Sequence, residues 1–284
     1  MPGRQRSSLL MLPPLLCATM VLAAAVSFQQ SANPRQQSEH PGEEWRLVWA
    51  DEFARDGLPD PSRWSYDVGG HGWGNNELQY YTERRPENAR VENGLLVIEA
   101  RREPWEGREY TSARLVTKGK GDWTYGRIEV RAKLPKGRGS WPAIWMLGST
   151  TPLKWPDDGE IDIMEHVGFD PGVVLASIHT KAYNHVAGTQ RSGRIEVPDA
   201  QDAFHVYAIE WDRDRIRAFV DGREYFEFRR EPGGGKDVWP FDAPHHLLLN
   251  VAVGGNWGGQ KGVDPSSLPY RFEIDYVRVY QRTP

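Results

Sequence analysis

Glu160, Asp162 and Glu165 fall close together in the run Asp157-Asp158-Gly159-Glu160-Ile161-Asp162-Ile163-Met164-Glu165-His166. Acids alternate with apolar residues here, as in a β-strand, so Glu160 and Asp162 share one face while Ile161 and Ile163 point to the other. Glu165 lies five steps from Glu160 and in a regular strand would face the core. A β-bulge, one extra residue at Ile163 or Met164, returns it to the carboxylate face. The two glutamates then stand roughly 13 Å apart at the backbone, and inward-leaning side chains can narrow the carboxyl gap toward the ~5.5 Å that suits cleavage of a glycosidic bond with retention. Three acids on one short face repel one another, which raises at least one pKa and sets a proton donor beside an ionised carboxylate. The alternatives are an acidic solvent face, common on exposed strands, and a metal site, for which hard cations want more oxygen ligands than this strand offers.

Upstream, Ser140-Trp141-Pro142-Ala143-Ile144-Trp145-Met146-Leu147 places Trp141, Ala143 and Trp145 on one strand face and Ile144 and Met146 on the other. Two tryptophans beside a carboxylate row suit stacking on the apolar C–H faces of sugar rings, although either could be a core residue. Period-two patterning continues through the chain. Gly126 to Leu134 alternates Ile128, Val130, Ala132 and Leu134 with Arg127, Glu129, Arg131 and Lys133. Asn93-Gly94 and Asp221-Gly222, each between strand-like runs, predict tight hairpins. Further strands are expected at 45–49, 112–118, 140–147, 160–167, 173–180, 204–211, 246–253 and 271–280, with no long amphipathic helix. About a dozen antiparallel strands without interleaved helices predict an all-β sandwich of two antiparallel sheets, a jelly roll.

The chain has 284 residues and a single cysteine, and its 35 Lys and Arg against 39 Asp and Glu give a net charge of −4. Such a balance offers no surplus of positive charge for a nucleic acid. Arg4 and Arg6 precede an apolar stretch from Leu9 to Val26 that ends in small residues, which reads as a secretory signal over 1–27, with a retained anchor as the alternative. Cleavage there would remove Cys17, leave no disulfide and no stable membrane association, and take the net charge to −6. Residues 28–43 are rich in Gln, Ser, Pro and Glu and read as a disordered linker, so the folded domain is expected over 44–284, secreted, extracellular or periplasmic, and monomeric.

The run Glu160-Ile161-Asp162-Ile163-Met164-Glu165 resembles the bulged active-site signature of glycoside hydrolase family 16. Gly72-Trp73-Gly74-Asn75-Asn76-Glu77-Leu78-Gln79-Tyr80-Tyr81-Thr82, Thr111-Ser112-Ala113-Arg114-Leu115, Trp141 to Leu147, Asn250 to Gly255 and Asp275 to Tyr280 are similar, in order, to blocks of its laminarinase-like branch. The resemblance covers residues 45–281. It implies a concanavalin A-like jelly roll and retaining endo-hydrolysis of β-1,3-glucan. Mixed-linkage glucan or a galactan remains an alternative substrate, and a non-catalytic glucan-binding protein an alternative role. It further implies Glu160 as nucleophile, Glu165 as general acid and base, Asp162 as the residue that tunes the nucleophile, and Trp141 and Trp145 as floors of the sugar subsites. Asn75, Arg114, His179 and Trp257 match other cleft positions; His179 could equally be a structural histidine. No catalytic cofactor is implied. A structural calcium is, far from the cleft, on the carbonyls of Glu52 and Gly94 and the carboxylate of Asp275. Asp275 also interrupts the alternation of its strand, which a bend serving an ion or an ordinary bulge would explain.

Overall fold

The computed structural model describes residues 44–282, so the signal and linker expected over 1–43 lie outside it. Two sheets pack face to face. In the ten-stranded sheet the order is Arg223–Arg229, Arg215–Val220, His205–Trp211, Gly126–Lys133, Tyr270–Arg282, Leu95–Trp105, Arg108–Ser112 and Gln79–Tyr81; Trp45–Asp51 adds to the Tyr270–Arg282 strand and Ala89–Glu92 to Leu95–Trp105. The eight-stranded sheet runs Arg191–Glu196, Val173–His179, Glu160–Glu165, Ser140–Gly148, His245–Val253, Arg114–Val116 and Ser65–Tyr66, with Asp122–Trp123 beside His245–Val253. The expected all-β sandwich is thus present. One correction is that Gln79–Tyr81 pairs with Arg108–Ser112 in parallel, so the ten-stranded sheet is not wholly antiparallel.

The core lies between the inner faces, where Leu96, Ile98, Ile128, Val130, Ile144, Met146, Ile161, Ile163, Met164, Ile178, Leu249, Val251, Phe272, Ile274 and Val279 are all inaccessible to solvent. Both predicted hairpins form. Asn93-Gly94 and Asp221-Gly222 each put two consecutive residues at positive φ, as a two-residue turn between twisted strands requires. The strand expected at 112–118 divides instead: the chain leaves one sheet at Ser112 and enters the other at Arg114, with Ala113 buried between. Residues 110–117 are all buried, so no alternation marks the crossing. Arg191–Glu196 escaped the sequence reading because, as an edge strand, it buries only Ile195.

The Tyr270–Arg282 strand slips in register between Ile274 and Tyr276. On one side it pairs with Leu95–Trp105 as far as Ile274, and from Val277 with Trp45–Asp51. Asp275 therefore sits where the strand changes neighbours, near the end of Trp45–Asp51 and the start of Leu95–Trp105, and in the sheet opposite Glu160. Its carboxylate pairs with Arg131, while the Glu52 carboxylate is held by two 2.8 Å hydrogen bonds from Arg278.

Candidate active site

The acidic strand carries the expected bulge. Asp162 faces Trp145 and Ser177, yet Glu165 faces Ala143 and Leu175, so three steps on this strand span two on each neighbour. Ile163 and Met164, the residues in the slip, are both buried in the core. Burying two consecutive apolar side chains is what the bulge permits, and it returns Glu165 to the face of Glu160 and Asp162. All three acids open into a cleft of about 730 Å³ on the outer face of the eight-stranded sheet. Every other proposed cleft residue lines it too: Asn75, Arg114, Trp141, Trp145, His179 and Trp257.

Each acid has its own environment. Glu160 is half-buried, and its Oε2 accepts a 2.6 Å hydrogen bond from Trp155 Nε1. Asp162 is buried and lies 3.2 Å from His179 Nε2. Burial, the Glu160 charge and a hydrogen bond with Glu160 push the Asp162 carboxyl well above the usual range, which favours its protonated form as a donor to Glu160. Glu165 accepts a 3.0 Å hydrogen bond from Trp141 Nε1. Burial and the negative charge shared by the Asp162–Glu160 pair raise its pKa well above the usual value, against the opposing pull of His179 and the Trp141 N–H. The site therefore raises the proton affinity of Asp162 and Glu165, beside a Glu160 carboxyl that Trp155 Nε1 and Asp162 hydrogen-bond.

A chain of side chains supports the tryptophan floor. Trp145 Nε1 donates to Asn250 Oδ1 at 2.7 Å, Asn250 Nδ2 to the Tyr81 hydroxyl at 3.0 Å, and that hydroxyl to Glu77 Oε2 at 3.2 Å. Arg114 lies between Trp73 and Trp145, its guanidinium carbon 4.6 Å from each ring centroid, and pairs with Asp67 at 2.9 Å. Trp141 meets Trp257 edge-on at 5.6 Å. Neither proposed stacking residue is core: both are half-buried, while Ile144 and Met146 fill the interior.

The sequence reading missed Trp155, His185, Glu77 and Asn250. Asn250 stood in a recognised block, and Trp155 lies five residues before Glu160, but neither pairing can be read from a loop or across strands. Glu160, Asp162 and His179 each place one ligand-type atom within 4.8 Å of the others. Glu165 is not in that cluster, so the arrangement differs from three carboxylates around an ion.

Residues 76–278 match the family model described as glycosyl hydrolases family 16. The chain belongs to this family. It is 63% identical over 244 residues to a beta-glucanase of Rhodothermus marinus, covering 84% of this chain and 85% of the relative. It is 39% identical over 250 residues to a glucan endo-1,3-beta-glucosidase of Cryptopygus antarcticus, covering 82% and 91%. The X-ray structure of the laminarinase from Rhodothermus marinus superimposes with a TM-score of 0.84 at 61% identity, covering 85% of this chain and 99% of that one. The family 16 jelly roll and the hydrolase class follow for this chain: it is a glycoside hydrolase.

Proposed function

We propose that the protein is a secreted, monomeric endo-1,3-β-glucanase that cleaves internal bonds of laminarin-like glucan with retention of configuration. The observation that carries this is the bulged strand, which sets Glu160, Asp162 and Glu165 on one face of an open cleft beside Trp141 and Trp145. Relatives described as a laminarinase and a glucan endo-1,3-beta-glucosidase support the linkage. In this mechanism Glu160 attacks the anomeric carbon while Glu165 gives its proton to the departing oxygen. A glycosyl–Glu160 ester forms. Glu165, now ionised, takes a proton from water as that water attacks the anomeric carbon and breaks its bond to Glu160, which restores both carboxyls. Asp162 donates to Glu160 and keeps the carboxylate aimed. Trp145 and Arg114 form the wall on the strands beyond Glu160.

The experiment is product analysis. Laminarin should give short oligosaccharides with the β-anomer formed first by NMR, lichenan should react more slowly, and cellulose should be untouched. Release of monosaccharide alone, or the α-anomer first, would overturn the reading. A second substrate reading, mixed-linkage glucan, has a specific support: a 51% identical structure is described as a non-specific endo-beta-1,3(4)-glucanase. Equal rates on lichenan and laminarin would favour it. A binding protein without catalysis is disfavoured by the presence of all three acids. Size-exclusion and culture fractionation test the monomer and the export.

We also propose a structural calcium at the Glu52 and Gly94 carbonyls and the Asp275 carboxylate. These are hard oxygen donors, the ligand chemistry calcium prefers, and Asp275 lies at a register slip of its strand. With one charged ligand, itself paired with Arg131, binding would be weak and would stabilise the fold without touching the cleft.

A further inference from the structure

The loop from Ser149 to Gly159 carries Trp155, whose N–H holds one oxygen of Glu160. Asp158, outside the cleft lining, ties that loop together. Its Oδ2 accepts from Thr150 Oγ1 and from the Lys154 N–H, both at 2.8 Å, and its Oδ1 accepts from Lys236 Nζ at 2.8 Å. The Asp158 N–H donates to the Lys154 carbonyl at 2.9 Å. Asp158 is only 7% exposed. Burial alone would raise its pKa, yet the bonds from Lys236, Lys154 and Thr150 outweigh it and hold the carboxyl down at about 2.

Two glycines fit the backbone around this carboxylate. A Cβ on Gly148 would come within 2.6 Å of the Asp158 carbonyl. Gly159 has φ +84°, and a Cβ there would come within 2.8 Å of Pro240 and 2.9 Å of Phe241. The junction between clamp and nucleophile strand thus admits little else.

Lys236 lies on the short helical turn Gly235–Val238, which also grips a second loop: the Asp237 carbonyl accepts from the Ala182 N–H at 2.9 Å, and its carboxylate pairs with Lys181 at 3.0 Å. That second loop carries His185, whose ring centroid is 5.0 Å from Trp155 and 5.2 Å from His179. One turn outside the cleft lining therefore braces both the loop of Trp155 and the loop of His185.

We infer that Asp158, braced by Lys236, is a positioning residue that acts through Trp155 to hold Glu160 in its attacking orientation. This rests on the reading of Glu160 as nucleophile. Asp158 touches no substrate. Trp155 supplies a neutral donor to one carboxyl oxygen of Glu160, which limits rotation of the group. A misplacement of about 1 Å at a reacting group can cost on the order of 100-fold in rate.

The test is a double-mutant cycle on laminarin with Trp155→Phe, which keeps the ring and removes the N–H, and Asp158→Ala, each corrected for the fraction of active sites by titration with a covalent glycoside inactivator. Each single variant should lose about 10–100-fold in kcat with a smaller change in KM, and should alter the pH profile of kcat in the same way. The double variant should lose little more than either single one. Asp158→Asn should recover part of the loss, because an amide oxygen can still accept from Thr150 and Lys154. Lys236→Met, which alters only an exposed side chain, serves if Asp158→Ala does not fold, and should reproduce a smaller loss with the same change in the pH profile. Additive losses, or a full kcat per active site in Asp158→Ala and Lys236→Met, would overturn the inference. Failure of the nucleophile reading is separate: it would appear as activity retained in Glu160→Ala.

Discussion

At the residue scale, three acids on one strand face have been given different jobs by their neighbours. Glu160→Ala should abolish hydrolysis while the protein stays folded, and azide should restore turnover of an activated β-glucoside with an α-glycosyl azide as product. Retained activity would sink the assignment. Asp162→Asn should lose less activity and shift the pH optimum, since an amide can donate to Glu160 but cannot share a proton with it. Glu165 also makes a prediction about stability. Its folded-state pKa is raised, so between its unfolded value and that raised value the folded protein holds more protons than the unfolded chain. Stability attributable to this group is therefore present at low pH and falls as pH rises through the window. Glu165→Gln removes the term. The variant should melt with the wild type near pH 4 and above it at pH 7; equal melting at both would show that burial there is not penalised.

At the element scale, the bulge decides the site and ion pairs decide the opposite face. Arg127 and Arg217 reach Glu210 at 2.7 and 2.6 Å, with all three side chains largely shielded from water. Removing the acid leaves two guanidinium groups together, but Arg127 keeps Glu129 at 2.6 Å and Arg217 keeps Glu224 at 3.6 Å, so Glu210→Ala should destabilise by about 1.5–3 kcal/mol, whereas an exposed pair such as Lys136 with Asp202 should be worth about 1 kcal/mol or less. Urea unfolding of both variants checks the contrast. On the cleft side, Trp141→Ala should weaken turnover on laminarin with little loss of melting temperature. The expectation was stacking alone; the hydrogen bond from Trp141 to Glu165 adds a shift of the basic limb of the pH profile. A large fall in stability with unchanged kinetics would mean the ring serves the core.

At the scale of the molecule, the two sheets separate the chemistry from the proposed ion. A chelator should lower the melting temperature but leave initial activity at low temperature nearly unchanged, because Asp275 and Glu160 belong to opposite sheets. At calcium about 100 times its Kd the stabilisation would be roughly 2.7 kcal/mol, and a weak site, with a Kd of about 0.1–1 mM, would need about 10–100 mM calcium to reach it. If Asp275→Ala melts like the wild type with and without chelator, no such site operates. Among the described residues no helix is long and apolar enough to cross a membrane.

Sequence alone determined the sandwich, because a half-buried strand writes its two faces into alternating residues and Asn93-Gly94 and Asp221-Gly222 write their turns. It also determined the bulge at Ile163 and Met164: two adjacent apolar residues between acids have no other way to leave Glu165 beside Glu160. The phase slip at Asp275 was legible for the same reason. Tertiary structure decided what lies across strands and at loop tips. Arg114 between two tryptophans, Asn250 under Trp145, Trp155 on Glu160 and Asp158 on Lys236 join residues 5 to 105 positions apart by contacts that carry no period. Hydrogen bonds of side chains depend on which strands become neighbours, and that order follows from packing the whole core, not from any local run of residues.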